Sequence, residues 1–350
     1  MTDVRSFSPR RPLRLHLNEH SAGCSPAVLA ALRMTSREEV AVYPDYARIT
    51  QACEAAFGLG AGWLQLTNGL DEGLHAAAYA VARATRRTPA AAATTALVVE
   101  PAFEMYALSA DAAGLDVRRV LPTGDDPAFP SDAVLAALTP EVALVYLTDP
   151  NNPSGLAVPA GLVRRICEAA PGALVFVDEA YGEFSGRTSM GLLDTYRNLV
   201  VGRTFAKAYG LAGLRVGALV GHPDTLAPLR HVLPPFPLNV CALRALDAAL
   251  EDPGYLAWSV AQAAESRAIV ADACRRLGLQ SWPSEANFVL IRIGDRVAEV
   301  VEAMAARGIL IRDRSTLPGC AGCCRITAGV VEHTRLAIAA LEDVLASRAD

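Results

Sequence analysis

Lys207 is the only lysine among the 32 lysine and arginine residues of this 350-residue chain. It lies in the segment TFAKAYGLAGLRVG (204–217), between Ala206 and Ala208 and shortly after an apolar run. Burial in such surroundings lowers the pKa of an amine and frees its lone pair to attack a carbonyl carbon. Arginine cannot do this because its guanidinium stays protonated. The sequence therefore predicts Schiff-base chemistry at Lys207, with Arg215 nearby as a fixed cation suited to phosphate.

A second apolar run, ALVFVDEAY (173–181), ends in the polar residues Asp178, Glu179 and Tyr181. A carboxylate at such a position is partly desolvated and needs a cationic partner or a strong hydrogen-bond donor. Two interpretations of Asp178 follow. It caps a helix or joins an internal salt bridge, or it holds a proton on a heteroaromatic nitrogen.

Two further segments could bind polar groups of a ligand. The loop DPNNPSG (149–155) follows an apolar run and presents Asn151 and Asn152. Its prolines and glycine are strong turn residues, and a loop this rigid can also hold an amide donor against a phenolate oxygen. In LTNGLDEGLHAAAYA (66–80), a glycine turn opens a helix, whose first backbone N–H groups form an anion site.

The elements that position these residues follow an alternating pattern of strands and helices. The apolar runs do not alternate with polar residues, which is typical of strands covered on both faces. With helix-length segments between them, they predict an α/β fold with a mostly parallel sheet, and ligands bind at the C-terminal ends of such strands. The predicted strands are 96–100, 142–148, 173–179, 198–204 and 216–221, and the predicted helices are 105–113, 131–138 and 160–170.

After Pro237 the pattern changes to a long helical stretch, interrupted at DPG (252–254), and then to a mixture of strands and helices. The mixture predicts a smaller α+β unit, with strands at 287–293, 309–313 and 324–329 and helices at 296–308 and 331–346. The predicted organisation is an N-terminal arm with part of the small domain (1–40), a large α/β domain (41–237), a connecting helical region (238–277) and a small C-terminal domain (278–350).

Composition and charge exclude several classes of protein. The net charge of −5 gives no broad positive field for nucleic acid or an anionic membrane. No segment approaches the roughly 20 apolar residues of a membrane span, and the N-terminus lacks the apolar region of a secretory signal. We therefore predict a cytoplasmic protein that binds neither nucleic acid nor membrane.

Cysteine placement agrees with a reducing compartment, because most of the eight cysteines are isolated within apolar segments. The exception is CAGCC (320–324). A zinc site needs four ligands, and the nearest other candidate is His333. Ordinary thiols are therefore favoured over a metal or redox role, and no metal is predicted.

Taken together, DPNNPSG, VDEAYGEF and TFAKAYGLAGLRVG, in this order and at this spacing, resemble the fold type I pyridoxal-phosphate aminotransferases, and most nearly the histidinol-phosphate aminotransferase group. The resemblance extends from LNEHSAGCSP (17–26) through YPDY (43–46) to NFVLIRI and CRITAG. It implies pyridoxal 5′-phosphate as the cofactor and a homodimer with shared active sites. It also implies a small-molecule amino donor and a 2-oxo acid acceptor, with L-glutamate and 2-oxoglutarate as the common amino partner.

The resemblance assigns roles around the cofactor. Lys207 would form the aldimine with it and carry the proton, and Asp178 would keep the pyridine nitrogen protonated. Asn152 and Tyr181 would hydrogen-bond the phenolate oxygen, and Phe103 would stack on the ring. The phosphate would contact the backbone of Leu70, Asp71 and Glu72 together with Thr204 and Arg215, and Tyr43 would reach it from the other subunit.

On the substrate side, Arg325 matches the arginine that binds the carboxylate or an equivalent anion, and Arg312 would be a second anion contact. Asn18 and Glu19 of NEHSAG (18–23) would also bind substrate. The sequence departs from the group at Ala206, where a serine is usual, at Leu70, where a small residue is usual, and at NEHSAG, where NENPYG is usual.

Several functions remain open on the sequence alone. The amino donor could be histidinol phosphate or an aromatic amino acid. A threonine-phosphate decarboxylase resembles this group closely and differs in which bond at the substrate Cα is broken. A non-catalytic pyridoxal-phosphate sensor is disfavoured because no DNA-binding module precedes the resemblance. A nicotinamide dehydrogenase is disfavoured because no G-x-G-x-x-G follows the first strand.

Overall fold

The computed structural model describes residues 12–86 and 94–347. The strands there are β1 (Leu13–Arg14), β2 (Leu64–Asn68), β3 (Thr95–Val99), β4 (Asp116–Val120), β5 (Val142–Thr148), β6 (Leu174–Asp178), β7 (Leu199–Thr204), β8 (Val216–Gly221), β9 (Gln280–Ser281), β10 (Phe288–Arg292), β11 (Ile309–Leu310), β12 (Arg312–Asp313) and β13 (Cys323–Thr327).

The α-helices of the same residues are α1 (Pro26–Arg33), α2 (Arg37–Val40), α3 (Ala47–Ala56), α4 (Gly69–Arg86), α5 (Met105–Ala113), α6 (Ser131–Ala136), α7 (Leu162–Ala169), α8 (Gly182–Ser185), α9 (Pro223–Arg230), α10 (Val240–Leu250), α11 (Pro253–Leu277), α12 (Val297–Ala306) and α13 (Val331–Ala346). None of these helices is long and apolar enough to span a membrane.

A seven-stranded sheet in the order β2-β8-β7-β6-β5-β3-β4 forms the core of the molecule. Strands β7, β6, β5, β3 and β4 are parallel, and β8 is antiparallel to both of its neighbours. The central strands send alternate side chains into two separate cores. Val145 and Val175 join one core, whereas Leu144 and Phe176 join the other. This two-sided burial explains why these strands are apolar throughout and confirms the α/β prediction.

The edges of the sheet were not predicted from the sequence. Strands β2 and β4 contain the segments LQLTN and DVRRV, whose polar residues obscure the strand pattern. Each lies at an edge of the sheet, where one side of the strand is open. Edge strands tolerate polar side chains, and therefore the expectation of a fully apolar run fails there.

A four-stranded sheet in the order β12-β13-β10-β9 lies in the C-terminal part of the chain, with its strands antiparallel. Helices α11 and α12 contact it, α13 packs on these two helices, and together they enclose a third apolar core. The predicted strand over 309–313 is wrong as a single element. Residues 309–310 pair with β1 in a two-stranded parallel sheet, whereas residues 312–313 pair with β13.

The two larger sheets and the helices α10 and α11 fall within the predicted ranges 41–237, 278–350 and 238–277 respectively. The division into domains itself stays a prediction. Residues 1–11 and 348–350, which belong to its first and last ranges, lie outside the described residues.

Candidate active site

A cavity of about 250 Å³ lies between the C-terminal ends of β5, β6 and β7 and the four-stranded sheet. Loops that follow parallel strands emerge at the same edge of a sheet, and the polar residues after three strands are therefore brought together. The predicted site residues that line the cavity are Asn18, Leu70, Asp71, Phe103, Asn152, Asp178, Tyr181, Thr204, Lys207, Arg215, Arg312 and Arg325.

Asp178 ends β6 and is buried. Its Oδ2 accepts a hydrogen bond from the Tyr106 hydroxyl at 2.7 Å, and its Oδ1 accepts one from the Ala180 backbone N–H at 2.8 Å. Burial raises the pKa of the Asp178 carboxyl to about 6, although the charge of Lys207 and the two hydrogen bonds act in the opposite direction. Asp178 forms no ion pair with a described cation. A cationic group in the cavity would relieve this desolvation.

Lys207 lies in the loop that joins β7 to β8. The loop is closed by a hydrogen bond from the Leu211 N–H to the Phe205 carbonyl at 3.0 Å. The Lys207 Nζ donates to the Leu17 carbonyl at 3.1 Å. Desolvation lowers the pKa of Lys207 to about 8, and repulsion from Arg325 adds to the effect. The neutral fraction of the amine near neutral pH is therefore much larger than that of an ordinary lysine, as its reaction with a carbonyl requires.

The N-terminus of α4 forms the opposite end of the cavity from the four-stranded sheet. The Gly69 N–H donates to the Arg215 carbonyl at 2.8 Å, so α4 begins directly beside β8. Gly217 permits this approach, because a Cβ there would lie 2.6 Å from the Gly69 carbonyl carbon. The Arg215 guanidinium contacts the Asp71 carboxylate at 2.7 Å. The helix N-terminus and the guanidinium together provide a site for a phosphate group.

The departure at Ala206 changes the hydrogen bonding of this end of the cavity. The Ala206 N–H donates to the Thr204 hydroxyl at 3.2 Å, and that hydroxyl reaches the Val216 carbonyl at 3.3 Å. Ala206 itself offers no side-chain donor. Thr204 is thus the one hydroxyl of the segment 204–206 that is available to a phosphate.

Tyr181 and Arg325 connect the two sheets at the cavity. The Tyr181 hydroxyl accepts a hydrogen bond from the Asn18 side-chain amide at 2.9 Å, and burial raises its pKa. Arg325, only 2% exposed, donates to the Asn152 side-chain oxygen and to the His16 carbonyl, the latter at 2.8 Å. Burial lowers the pKa of Arg325 to about 9.

Three predicted site residues lie outside the cavity lining. Tyr43 is 78% exposed and stacks on Phe236, with 4.3 Å between the ring centroids. Glu19 pairs with Arg14 at 2.8 Å. The Glu72 carboxylate accepts a hydrogen bond from the Asn68 N–H at 2.6 Å and so caps the start of α4.

Two other residues from the polar segments have structural partners. Glu179 accepts hydrogen bonds from Thr188 at 2.8 Å and from Arg203 at 3.0 Å, in a buried network beneath the site. Asn151 donates to the Pro101 carbonyl at 2.9 Å and fixes the loop that carries Asn152. In each of the two motifs, one residue therefore lines the cavity and its neighbour stabilises the surrounding structure.

Tyr106 and Arg314 are among the cavity residues that sequence reasoning missed. Tyr106 donates to Asp178 and also bonds the Thr148 hydroxyl at 2.7 Å. Its position in the sequence could have indicated this role, because Tyr106 lies in the first turn of α5, three residues after Phe103. Arg314 lines the cavity beside Arg312, and the signal was the two-residue spacing that places both on one face of an extended segment.

The cysteines have no metal-binding arrangement. All eight are free thiols, and Cys320, Cys323 and Cys324 are buried. Among residues 12–86 and 94–347, no group of three or more His, Cys, Asp or Glu side chains could hold a metal ion. The buried thiols pack around Trp282 and Leu290 or in the core of the C-terminal sheet.

A seven-stranded sheet with one antiparallel strand, and a lysine and an aspartate at adjacent strand ends, define a fold type I pyridoxal-phosphate enzyme. The cavity fits that cofactor because it combines a buried carboxylate that lacks a cation, an amine of lowered pKa and a helix N-terminus beside an arginine. Comparison with known proteins supports this class of enzyme. The chain belongs to the aminotransferase class I and II family, whose profile matches residues 12–341.

Two similar sequences and one similar structure are named as histidinol-phosphate aminotransferases. The chain is 36% identical to histidinol-phosphate aminotransferase 2 of Ralstonia nicotianae, over 96% of this chain and 89% of the relative. It is 35% identical to histidinol-phosphate aminotransferase of Symbiobacterium thermophilum, over 95% and 90%. The crystal structure of histidinol-phosphate aminotransferase from Sinorhizobium meliloti in complex with pyridoxal-5′-phosphate superposes with a TM-score of 0.83 at 28% identity, over 97% and 92%. The protein is thus a pyridoxal-phosphate-dependent aminotransferase that acts on amino and oxo compounds.

Proposed function

We propose that this enzyme transfers the amino group of L-histidinol phosphate to 2-oxoglutarate. The observation that carries the proposal is Arg325, a buried guanidinium in the cavity wall whose Nε has no partner among the described residues. Such a group binds the phosphate of one substrate and a carboxylate of the other at the same position. The names of the similar proteins favour histidinol phosphate over an aromatic amino acid as the donor.

In the proposed site, the lysine and the aspartate have complementary tasks. Bound pyridoxal phosphate supplies a ring that delocalises the negative charge left on the substrate carbon when its proton is removed. The Lys207 amine takes and returns that proton, which its lowered pKa permits near neutral pH. Asp178 holds a proton on the pyridine nitrogen, and the hydrogen bond from Tyr106 stabilises the carboxylate in that task.

The remaining cavity residues orient the cofactor and substrate. Asn152 and Tyr181 offer side chains to the phenolate oxygen, and Phe103 offers its ring to the pyridine face. The N-terminus of α4, at Leu70, Asp71 and Glu72, together with Thr204 and Arg215, binds the cofactor phosphate. Asn18 and Arg312 contact the substrate, whereas Glu19, paired with Arg14, acts only at longer range.

The proposal includes a homodimer. Val40, Val42, Tyr43 and Phe236 form an exposed apolar surface, with side chains between 46% and 78% exposed. Apolar surfaces of this kind are typical of subunit interfaces. Tyr43 of one subunit would then reach the cofactor phosphate of the other. The free cysteines agree with a cytoplasmic enzyme.

The test is a panel of amino donors offered to the purified enzyme with 2-oxoglutarate, including L-histidinol phosphate and L-phenylalanine. We expect glutamate formation with histidinol phosphate, and visible absorbance from the bound cofactor. Borohydride treatment should attach the cofactor irreversibly to Lys207, as shown by peptide mass spectrometry. A response to phenylalanine alone would overturn the proposed donor but not the family.

The same assay separates transamination from decarboxylation, the alternative left open by the sequence. Release of CO₂ from threonine phosphate without a 2-oxo acid requirement would replace the proposal by a decarboxylase. A protein that bound the cofactor and turned over no donor of the panel would contradict both.

A further inference from the structure

Arg314 is the least explained charged residue of the cavity. It follows β12, and its backbone N–H donates to the Cys323 carbonyl at 2.9 Å, which extends the pairing with β13 by one residue. Within this pairing, Arg312 lies directly opposite Arg325. Side chains two residues apart in an extended segment lie on the same face, so Arg314 continues the face that carries Arg312. Asp313, between them, bonds to Ser315 instead.

Arg312, Arg314 and Arg325 form what we call the arginine cluster, and all three line the cavity. In the described ranges 12–86 and 94–347, none of the three forms an ion pair with a carboxylate. Glu104 also lines the cavity and its charge raises the pKa of Arg314, but it forms no ion pair with the cluster. Many arginines elsewhere in the described residues form ion pairs with carboxylates, as Arg203 does with Glu179 and Glu183. The cluster is therefore a concentration of positive charge without a directly paired carboxylate.

The hydrogen-bond donors of Arg314 are also unused. Arg325 is held by the Asn152 side chain and the His16 carbonyl. Arg314 has no such support: its buried Nε has no partner, and its side chain makes no hydrogen bond to a described residue. Burial, together with repulsion from Arg312, lowers its pKa. A buried donor without a partner is costly, and a ligand that supplies acceptors removes that cost.

The number of guanidinium groups indicates which class of anion the cluster suits. A carboxylate carries one negative charge and is served by one or two arginines. A phosphate monoester carries about −1.5 to −2 charges near neutral pH and has three acceptor oxygens. The third arginine is thus surplus for a carboxylate but matched to a phosphate.

We propose that Arg314 is a specificity-determining residue that makes the enzyme favour an amino substrate bearing a phosphate monoester over one bearing only carboxylates. This inference deepens the proposed function and rests on it for the identity of the natural donor. In the half-reaction with glutamate, a carboxylate takes the same position, so Arg314 contributes little there. Substitution of Arg314 should therefore weaken the half-reaction with the phosphate-bearing substrate more than the half-reaction with glutamate. Arg325 contributes to binding in both.

Two dead-end ligands that share an aromatic ring test the inference on the holoenzyme. Phenyl phosphate and benzoate share an aromatic body, lack an amine and differ in charge. We expect Arg314→Gln to raise the inhibition constant of phenyl phosphate roughly 10- to 100-fold at pH 7.5, and that of benzoate less than about threefold. Arg314→Lys, which keeps one charge, should recover part of the difference. Arg335→Gln, an exposed arginine on α13, is the matched control and should change neither constant.

The dependence of binding on pH gives a readout that a merely structural role would not move. Phenyl phosphate should bind the wild-type enzyme more tightly as the pH rises from 5 to 7.5, because its second proton leaves near pH 6. This gain should be smaller in Arg314→Gln. Cofactor absorbance and melting temperature establish that each variant is folded, and Arg314→Lys carries the test if the glutamine variant does not fold.

The outcomes distinguish this inference from the proposed function. If Arg314→Gln weakened the binding of phenyl phosphate and benzoate equally, or weakened neither, the role of Arg314 would be overturned whatever the donor is. A selective loss for phenyl phosphate in an enzyme that does not use histidinol phosphate would support the role of Arg314 and refute the proposed donor. Activity with histidinol phosphate that is unchanged in Arg314→Gln would leave the proposed donor standing and refute the inference.

Discussion

The two ends of the cavity are built in different ways. The cofactor end consists of loops that follow parallel strands, and its charged groups already have partners: Asp178 accepts two hydrogen bonds, and Arg215 pairs with Asp71. The substrate end consists of one face of a short antiparallel sheet, where Arg312 and Arg314 have no partner among the described residues. The first arrangement is preorganised for one permanent ligand, whereas the second leaves charge free for ligands that come and go.

This difference makes the two ends separable by mutation. Substitutions at the cofactor end should change the rate of the chemical step and the absorbance of the bound cofactor. Substitutions at the substrate end should change substrate binding and leave the absorbance as it is. The following predictions test this separation, from the largest expected effect to the smallest.

The largest effect should come from Lys207→Arg, which keeps the positive charge but removes the amine that can lose its proton. We expect kcat to fall by at least about 10³-fold, because proton transfer by a positioned side chain is lost. Single-turnover absorbance measurements with histidinol phosphate give the rate. Lys207→Ala with added methylamine is the companion experiment, and partial recovery there would assign the loss to the amine. Retained activity in Lys207→Arg would contradict the assigned role.

A loss of roughly 10²-fold in kcat should follow from Asp178→Asn, because the carboxylate that we propose as the partner of the pyridine proton is gone. The cofactor should also bind less tightly, and its absorbance should shift. The neighbouring variant Glu179→Gln is the control. It disturbs the buried pair with Arg203, so it should lower the melting temperature while the cofactor absorbance is preserved. Identical spectral changes in both variants would show that the two carboxylates are not distinguished as we describe.

Arg325→Gln should act on binding alone. We expect kcat/KM for histidinol phosphate and for glutamate to fall about 10- to 100-fold, mainly through KM, because a buried charge-assisted hydrogen bond is lost in both half-reactions. Cofactor absorbance should stay that of the wild-type holoenzyme. Arg276→Gln, on the exposed surface, is the matched control. A changed cofactor spectrum in Arg325→Gln would mean that the two ends of the cavity are coupled.

The smallest effect should come from Lys207→Met, which we expect to make the cofactor-free protein more stable. The pKa of Lys207 is about 8 in the folded chain and about 10.4 when unfolded, so the charged amine opposes folding below pH 8. The cost disappears as the pH rises through the unfolded value. Lys207→Met should therefore raise the melting temperature by a few degrees at pH 7 and by less at pH 10. A difference that grew with pH would contradict the lowered pKa.

The cofactor end was predictable because its residues lie in local motifs. Lys207, Asp178 and Asn152 each follow an apolar strand within a few residues, and parallel strands bring such residues to one edge. The central strands were predictable for a related reason, since burial on both faces demands apolar runs. The polar edge strands β2 and β4 carry no such signal.

The substrate end could not be predicted in the same way, because it depends on pairing between distant segments. Only the register of β12 on β13 places Arg312 opposite Arg325 and brings Arg314 to the same face of the sheet. A strand predicted over 309–313 conceals the switch between two sheets at Ile311. The contact of Asn18 with Tyr181 likewise joins residues far apart in sequence, and no local pattern of either segment indicates it.

The pairing of β1 with β11 has a consequence for the order in which the molecule forms. Leu13 lies beside Ile309, so the first described strand has no partner until most of the chain has been synthesised. The seven-stranded sheet, complete by Gly221, can form on the ribosome before that point. Asn18, which follows β1, should therefore reach Tyr181 late, together with the pairing of β1 and β11. During synthesis, a nascent chain should therefore acquire its cofactor end first and close the substrate end last.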